Sequence, residues 1–76
     1  MQNFDQSLDA RGLNCPLPIL KIGKALRAME AGQVIQMLST DPGSEKDIES
    51  FCQQAGHSLL ASERAGDDFV YVIRKN

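Results

Sequence analysis

A cysteine followed by two prolines, in the run Asn14-Cys15-Pro16-Leu17-Pro18, is the residue of this sequence best placed to do chemistry. Pro16 suits the first position of a helix, where its missing N–H has no intrahelical partner, and its ring steers the preceding residue away from helical backbone angles. Cys15 is therefore expected at the cap. Aligned peptide dipoles amount there to roughly half a positive charge, which favours thiolate over thiol and makes a nucleophile near neutral pH. Pro18 has no N–H to offer a capping side chain, so the Cys15 sulfur is expected beside the Leu17 amide. Arg11, four residues upstream, adds positive charge if the intervening turn folds back. The same run also fits a plainer role, a rigid helix start in which cysteine serves as a small buried hydrophobe. Residue physics alone leaves both readings open.

Cys52 reads differently. Ile48, Phe51, Cys52 and Ala55 recur at helical spacing within about 100° of arc, and apolar burial raises a thiol's pKa, so a structural role is expected. Two cysteines without C-x-x-C spacing are too few to staple a small secreted fold, and both are expected to be reduced. Adding His57 gives three soft ligands, short of the four that closed zinc sites use, so neither metal nor cofactor is expected. His57 follows a helix, where dipole pairing or packing is its ordinary work, and no catalytic role is assigned to it. Asp41 and Ser44 border the other helix start; a cap and a turn account for them without an anion site.

The elements that must position these residues follow from periodicity. Residues 4–10 alternate weakly as a short strand, and Arg11-Gly12-Leu13-Asn14 is a turn. Over residues 16–31, steps of 100° gather Ile19, Ile22, Leu26 and Met29 on one face, with Lys21, Lys24 and Ala28 opposite. This predicts an amphipathic helix ended by Gly32. Residues 34–40 are apolar and partly β-branched, as in an inner strand, and Asp41-Pro42-Gly43 breaks them. Ser44 and Asp47 resemble a capping box for a second helix that ends at Gly56. Residues 57–64 and 69–74 read as strands of a hairpin turning through residues 65–68. The order is βαβαββ. Right-handed crossovers then place both helices on one face of a four-stranded mixed sheet, an α+β (α/β two-layer sandwich) fold.

A chain of 76 residues hides only about 60% of its unfolded surface, so residues 1–76 are expected to form a single domain. Hydrophobic residues at 42% and charged residues at 24% are those of a folding chain and not of a disordered one. A net charge of −2 and a pI near 5.1 oppose direct binding of nucleic acid. No apolar run approaches the roughly 20 residues of a membrane span, and the amino terminus lacks a basic start and an apolar stretch. No membrane partner is expected, and the location is expected to be cytoplasmic.

The run Leu8-Asp9-Ala10-Arg11-Gly12-Leu13-Asn14-Cys15-Pro16-Leu17-Pro18 resembles the signature of the TusA (SirA-like) sulfur carriers. Thr40-Asp41-Pro42-Gly43-Ser44, Asp47-Ile48, Phe51-Cys52, Gly56-His57 and Ile73-Arg74-Lys75 are similar as well, so the resemblance covers nearly the whole chain. It implies a two-layer sandwich without cofactor. It implies a sulfurtransferase in which Cys15 takes sulfane sulfur, as a persulfide, from a cysteine desulfurase or another sulfurtransferase and passes it to a downstream relay protein. Asp9, Arg11, Gly12, Pro16, Leu17 and Pro18 would then position the thiol, with Asp9 and Arg11 pairing to fix the loop. In the branch serving tRNA 2-thiouridine synthesis the residue between the prolines is often acidic and the one before the cysteine basic. Here they are Leu17 and Asn14, which leaves the recipient open between tRNA thiolation, sulfur oxidation and cofactor supply.

Transfer of this kind follows thiol–disulfide exchange, whose rate depends on thiolate fraction, leaving group and access. The helical wheel sets Leu17 beside Lys21 and Lys24, an apolar contact with a basic rim that reads as a partner-docking patch or, more plainly, as a solvated helix face. Two other classes compete with the sulfur carrier. A redox-sensing or regulatory module predicts sulfenate or mixed disulfides on the cysteine. A nucleic-acid-associated domain is opposed by the acidic charge and by a single tyrosine without tryptophan.

Overall fold

The computed structural model describes residues 4–76; residues 1–3, part of the amino terminus read above for a leader, lie outside the described residues. The elements run β1 (Gln6–Ala10), α1 (Leu17–Ala28), β2 (Val34–Ser39), α2 (Ser44–Ala55), β3 (Ser58–Ala65) and β4 (Asp68–Arg74). They make one four-stranded sheet in the order β1-β2-β4-β3. β1 lies parallel to β2, while β4 is antiparallel to both β2 and β3. The βαβαββ order and the mixed α+β sheet are as the periodicity predicts. Since β2 and β3 run in the same direction without pairing, the hairpin returns β4 into the gap between them. Both strand pairs made by β4 are thereby antiparallel.

Strict alternation along β2 separates the two sides of the sheet: Ile35, Met37 and Ser39 are buried, and Val34, Gln36 and Leu38 are half-exposed. In register with the buried set stand Ile73, Tyr71 and Phe69 of β4 and Leu8 and Ala10 of β1. Ile22, Leu26 and Met29 come down on them from the first helical segment, and Ile48 and Cys52 from α2, to close the core. α1 packs over β1 and β2, α2 over β3 and β4, and the two helices touch along their flanks. Gly23 marks that contact, facing the Phe51 ring at 3.6 Å from where a β-carbon would stand.

Several element ends differ from expectation, the larger shifts for visible reasons. α1 starts at Leu17 and stops at Ala28, short of the predicted residues 16–31. Met29 turns to extended backbone, and the Lys75 ammonium donates to the carbonyl oxygens of Met29 at 2.6 Å and Arg27 at 3.5 Å. A cation from the chain's end thus completes the helix terminus where a glycine cap is expected. Gly32, with φ of +90°, instead makes the turn into β2 and donates its N–H to the Lys75 carbonyl at 2.7 Å. β1 begins at Gln6 and not at Phe4, because Asp5 is engaged otherwise, its carboxylate accepting from the Val34 amide at 2.8 Å. The hairpin is tighter than residues 65–68, since Ala65 pairs with Asp68 and only Gly66 and Asp67 turn.

The capping box at α2 is also corrected. Ser44 is already helical and buried, and its hydroxyl meets the Tyr71 hydroxyl at 2.6 Å inside the core. The start of α2 is organised by Asp41 instead, whose carboxylate accepts the Gly43 amide at 3.1 Å and whose carbonyl accepts the Ser44 amide at 3.0 Å. Gly56 does end α2, in left-handed backbone with φ of +80°, as predicted.

Candidate functional site

Because β1 and β2 are parallel neighbours, with Ala10 level with Ser39, the loops that follow them leave the same edge of the sheet side by side. The loop after β1 carries Cys15 and the loop after β2 carries Asp41. Side chains of the second hold the backbone of the first. Thr40 Oγ1 accepts the Gly12 amide at 2.9 Å, and Asp41 Oδ2 accepts the Cys15 amide at 3.0 Å. Asp41 is itself steadied, since its amide donates to the hydroxyl of fully buried Ser39 at 3.2 Å. Gly12 takes φ of +81° in the bend, a conformation that glycine adopts without penalty.

Cys15 is exposed and reduced, while Cys52 is buried at 3% exposure, reduced, and pushed up to about 11 by desolvation. The helix-cap geometry expected for Cys15 is not what the chain adopts. Pro16 occupies the cap and Cys15 lies one residue outside it, so Pro16 is not the first helical residue; Pro18 falls within the first turn. The Leu17 amide is spent on the Asn14 carbonyl at 2.9 Å, and no side chain caps α1 among the described residues. The side chain that acts most on the sulfur is instead the Asp47 carboxylate, on the first turn of α2.

That environment reverses the expected charge preference. The Cys15 pKa is raised above the ordinary thiol value, first by the hydrogen bond to Asp47, then by desolvation, then by the negative charges of Asp47 and Asp41. The direction favours thiol over thiolate. Arg11 does not offset those charges, because its guanidinium is engaged by other carboxylates. It pairs with Asp9 in a fork, Nε to Oδ1 at 3.0 Å and Nη2 to Oδ2 at 3.1 Å, and reaches Asp68 Oδ2 at 3.5 Å. The Asp9 carboxyl falls to about 2, chiefly through its hydrogen bonds from Arg11, so this pair holds the loop to the sheet edge at any physiological pH.

Of the residues read as a docking patch, Leu17, Lys21 and Lys24 are all exposed. Lys21 is also tied inward, donating to the Asp9 carbonyl at 3.3 Å. Leu20, left out of the sequence reading, is 62% exposed beside Leu17 at 48%, which makes an apolar pair next to the cysteine loop. Sequence reasoning does not find Thr40 as the partner of the Gly12 amide, Asp41 and Asp47 as neighbours of Cys15, or Ser44 as the core partner of Tyr71. A signal for the first three existed, since a βαβ unit with parallel neighbours brings the two loop ends together whatever the loops contain.

Fold and geometry together define a two-layer α+β thiol protein, with one cysteine presented where two loops meet and the other sealed in the core. The model of the family described as Sulfurtransferase TusA matches residues 6–75. The sulfur carrier protein TusA of Allochromatium vinosum is 51% identical over 76 residues, all of both chains. Two putative sulfur carrier proteins of Neisseria meningitidis are 53% identical over 69 residues, 91% of this chain and 93% of each of theirs. Among solved structures, the SirA-like protein from Desulfitobacterium hafniense superposes with a TM-score of 0.80 at 25% identity, over 92% of this chain and 96% of that one. The chain belongs to the TusA sulfurtransferase family, and sulfur carriage is the role this family defines.

Proposed function

We propose that the protein carries sulfane sulfur as a persulfide on Cys15, between a donor such as a cysteine desulfurase or another sulfurtransferase and a downstream relay protein, in the cytoplasm. The observation that carries the reading is the contrast between the two thiols: in a chain of this family Cys15 is exposed and Cys52 is buried. In uptake, the Cys15 sulfur attacks the donor's terminal sulfur. A new S–S bond forms on Cys15, the donor's S–S bond breaks, and its electron pair leaves on the donor cysteine as thiolate. Cys15 gives up its proton as it attacks and the leaving donor thiolate is free to take one up, so nothing is oxidised or reduced overall. In delivery an acceptor thiolate attacks the outer sulfur and Cys15 is the leaving group.

Asp9, Arg11 and Gly12 shape the loop, Pro16 and Pro18 fix the helix start, and exposed Leu17, Lys21 and Lys24 face the partner. The recipient pathway includes tRNA 2-thiouridine synthesis among its candidates. Incubation with cysteine desulfurase and L-cysteine, followed by intact mass with and without reductant, tests the reading. One reductant-labile sulfur is expected on the parent and on Cys52→Ala, and none on Cys15→Ala. Sulfenate or a mixed disulfide in place of the added sulfur favours the redox-sensing module.

A further inference from the structure

We infer that Thr40 and Asp41 are positioning residues for sulfur transfer, holding the backbone of the cysteine loop from the neighbouring loop so that the Cys15 sulfur meets its partner in a fixed pose. The inference deepens the persulfide reading and rests on it. Two hydrogen bonds carry it, Gly12 amide to Thr40 Oγ1 at 2.9 Å and Cys15 amide to Asp41 Oδ2 at 3.0 Å. Both bind main chain, and one binds the main chain of the reacting residue itself. The clasp is anchored where the protein is rigid. Asp41 donates its amide to the buried Ser39 hydroxyl at 3.2 Å, and its second carboxylate oxygen accepts the Gly43 amide at 3.1 Å, just before α2.

Residues 11–16 lie outside any strand or helix; the Asp9–Arg11 pair fixes where the loop begins, and the two bonds from Thr40 and Asp41 fix Gly12 and Cys15 beyond it. In-line attack on sulfur needs the nucleophile held in a near-attack pose, and a displacement of about 1 Å can cost up to about a hundredfold in rate. Asp41 also acts against itself chemically, since its charge helps to keep the Cys15 thiol protonated. A residue that hinders ionisation yet grips the reacting backbone is explained by placement, and that opposition makes the role measurable.

Two rates separate placement from acidity. Alkylation of Cys15 by iodoacetamide over a pH series reports thiolate fraction, with little demand on pose. Sulfur uptake from a cysteine desulfurase supplied with L-cysteine, followed by intact mass, reports both. Asp41→Ala is expected to shift alkylation to lower pH while slowing uptake about tenfold. Asp41→Asn keeps one acceptor oxygen, enough for the Cys15 amide but not for the Gly43 amide as well, so it is expected to shift alkylation likewise and to slow uptake less than Asp41→Ala. Thr40→Val, isosteric but without the acceptor, is expected to slow uptake with alkylation unmoved. Uptake by Asp41→Ala at the parent rate overturns the inference, as does Asp41→Asn no faster than Asp41→Ala. If Asp41→Ala does not fold at the assay temperature, Thr40→Val decides, and uptake equal to the parent's overturns it. Failure of the persulfide reading looks different: the parent then gains no sulfur, or Cys15→Ala gains it.

Discussion

Burial of Cys52 should make the two thiols differ in rate by orders of magnitude, and the difference can be worked from the structure. At 3% exposure and a pKa of about 11, Cys52 is thiolate in only about one molecule in a thousand at pH 8. A reagent that waits for the chain to open fares no better. A domain of 76 residues at roughly 0.05–0.15 kcal/mol per residue is worth about 4–11 kcal/mol, so the open fraction is about one in a thousand or less. By either route Cys52 labels at no more than about a hundredth of an ordinary thiol's rate. Cys15 is exposed and, although its pKa is raised, needs no opening. In a quenched time course with excess iodoacetamide at pH 8, one adduct is expected on Cys15 and the second roughly a hundredfold later or more. Cys15→Ala should keep only the slow phase and Cys52→Ala only the fast one, and urea above the unfolding midpoint should merge the two. Labelling of Cys52 in Cys15→Ala within about tenfold of the Cys15 rate would refute the argument. It would also leave a thiol free to attack the Cys15 persulfide at its inner sulfur and release sulfide.

Two further outcomes are expected. Asp47→Asn removes the main cause of the raised Cys15 pKa, so its alkylation profile should move to lower pH; an unmoved profile means Asp47 does not govern the thiol. The sign for stability follows. A raised thiol pKa favours the folded state below the unfolded pKa, and that advantage fades as pH rises through the folded value, so Asp47→Asn should flatten the alkaline loss of stability. Tyr71→Phe leaves the buried Ser44 hydroxyl without its 2.6 Å partner, at a cost of about 1–3 kcal/mol. Thermal unfolding should register it at roughly 4–8 °C of Tm per kcal/mol, with Ser44→Ala/Tyr71→Phe milder than the sum of its parts, whereas an unchanged Tm contradicts the role of that bond.

How much of this was legible beforehand varies with the range of the interaction. Periodicity located every element, because the apolar face of each helix and the alternation of β2 are local records of one core. Cys52 was readable for the same reason, since its helical neighbours Ile48 and Phe51 give its surroundings directly. Cys15 was legible as the reactive candidate at a helix start, while its exposure and its acidity came with the fold. The helix dipole is a property of residues close in sequence, whereas the opposing carboxylates stand 26 and 32 positions away by residue number (41 − 15 and 47 − 15) and arrive through the parallel pairing of β1 with β2. Lys75 at the end of α1 and Tyr71 beneath Ser44 were hidden similarly. In each case a local rule named a short-range partner, Gly32 or a capping box, and the fold supplied a distant one.

The reversal at Cys15 bears on what an exposed carrier thiol requires. Exchange at sulfur depends on the thiolate fraction as well as on access, so a cysteine that is both exposed and ionised reacts with any small disulfide or oxidant that reaches it. Here access is granted and ionisation is disfavoured, because Asp47 and Asp41 raise the thiol's pKa. Reactivity toward small molecules is therefore low at rest. Transfer to a docked partner keeps its advantage, since a bound donor brings a high effective concentration and a leaving thiolate that can take up the proton. Selectivity for partners over bystanders then comes from suppressing the bystander reaction, as much as from contacts made with the partner. If that balance is correct, Asp47→Asn gains more in reaction with a small disulfide than in uptake from a desulfurase. Equal gains in the two rates would show that the carboxylate sets acidity without selecting the reaction partner.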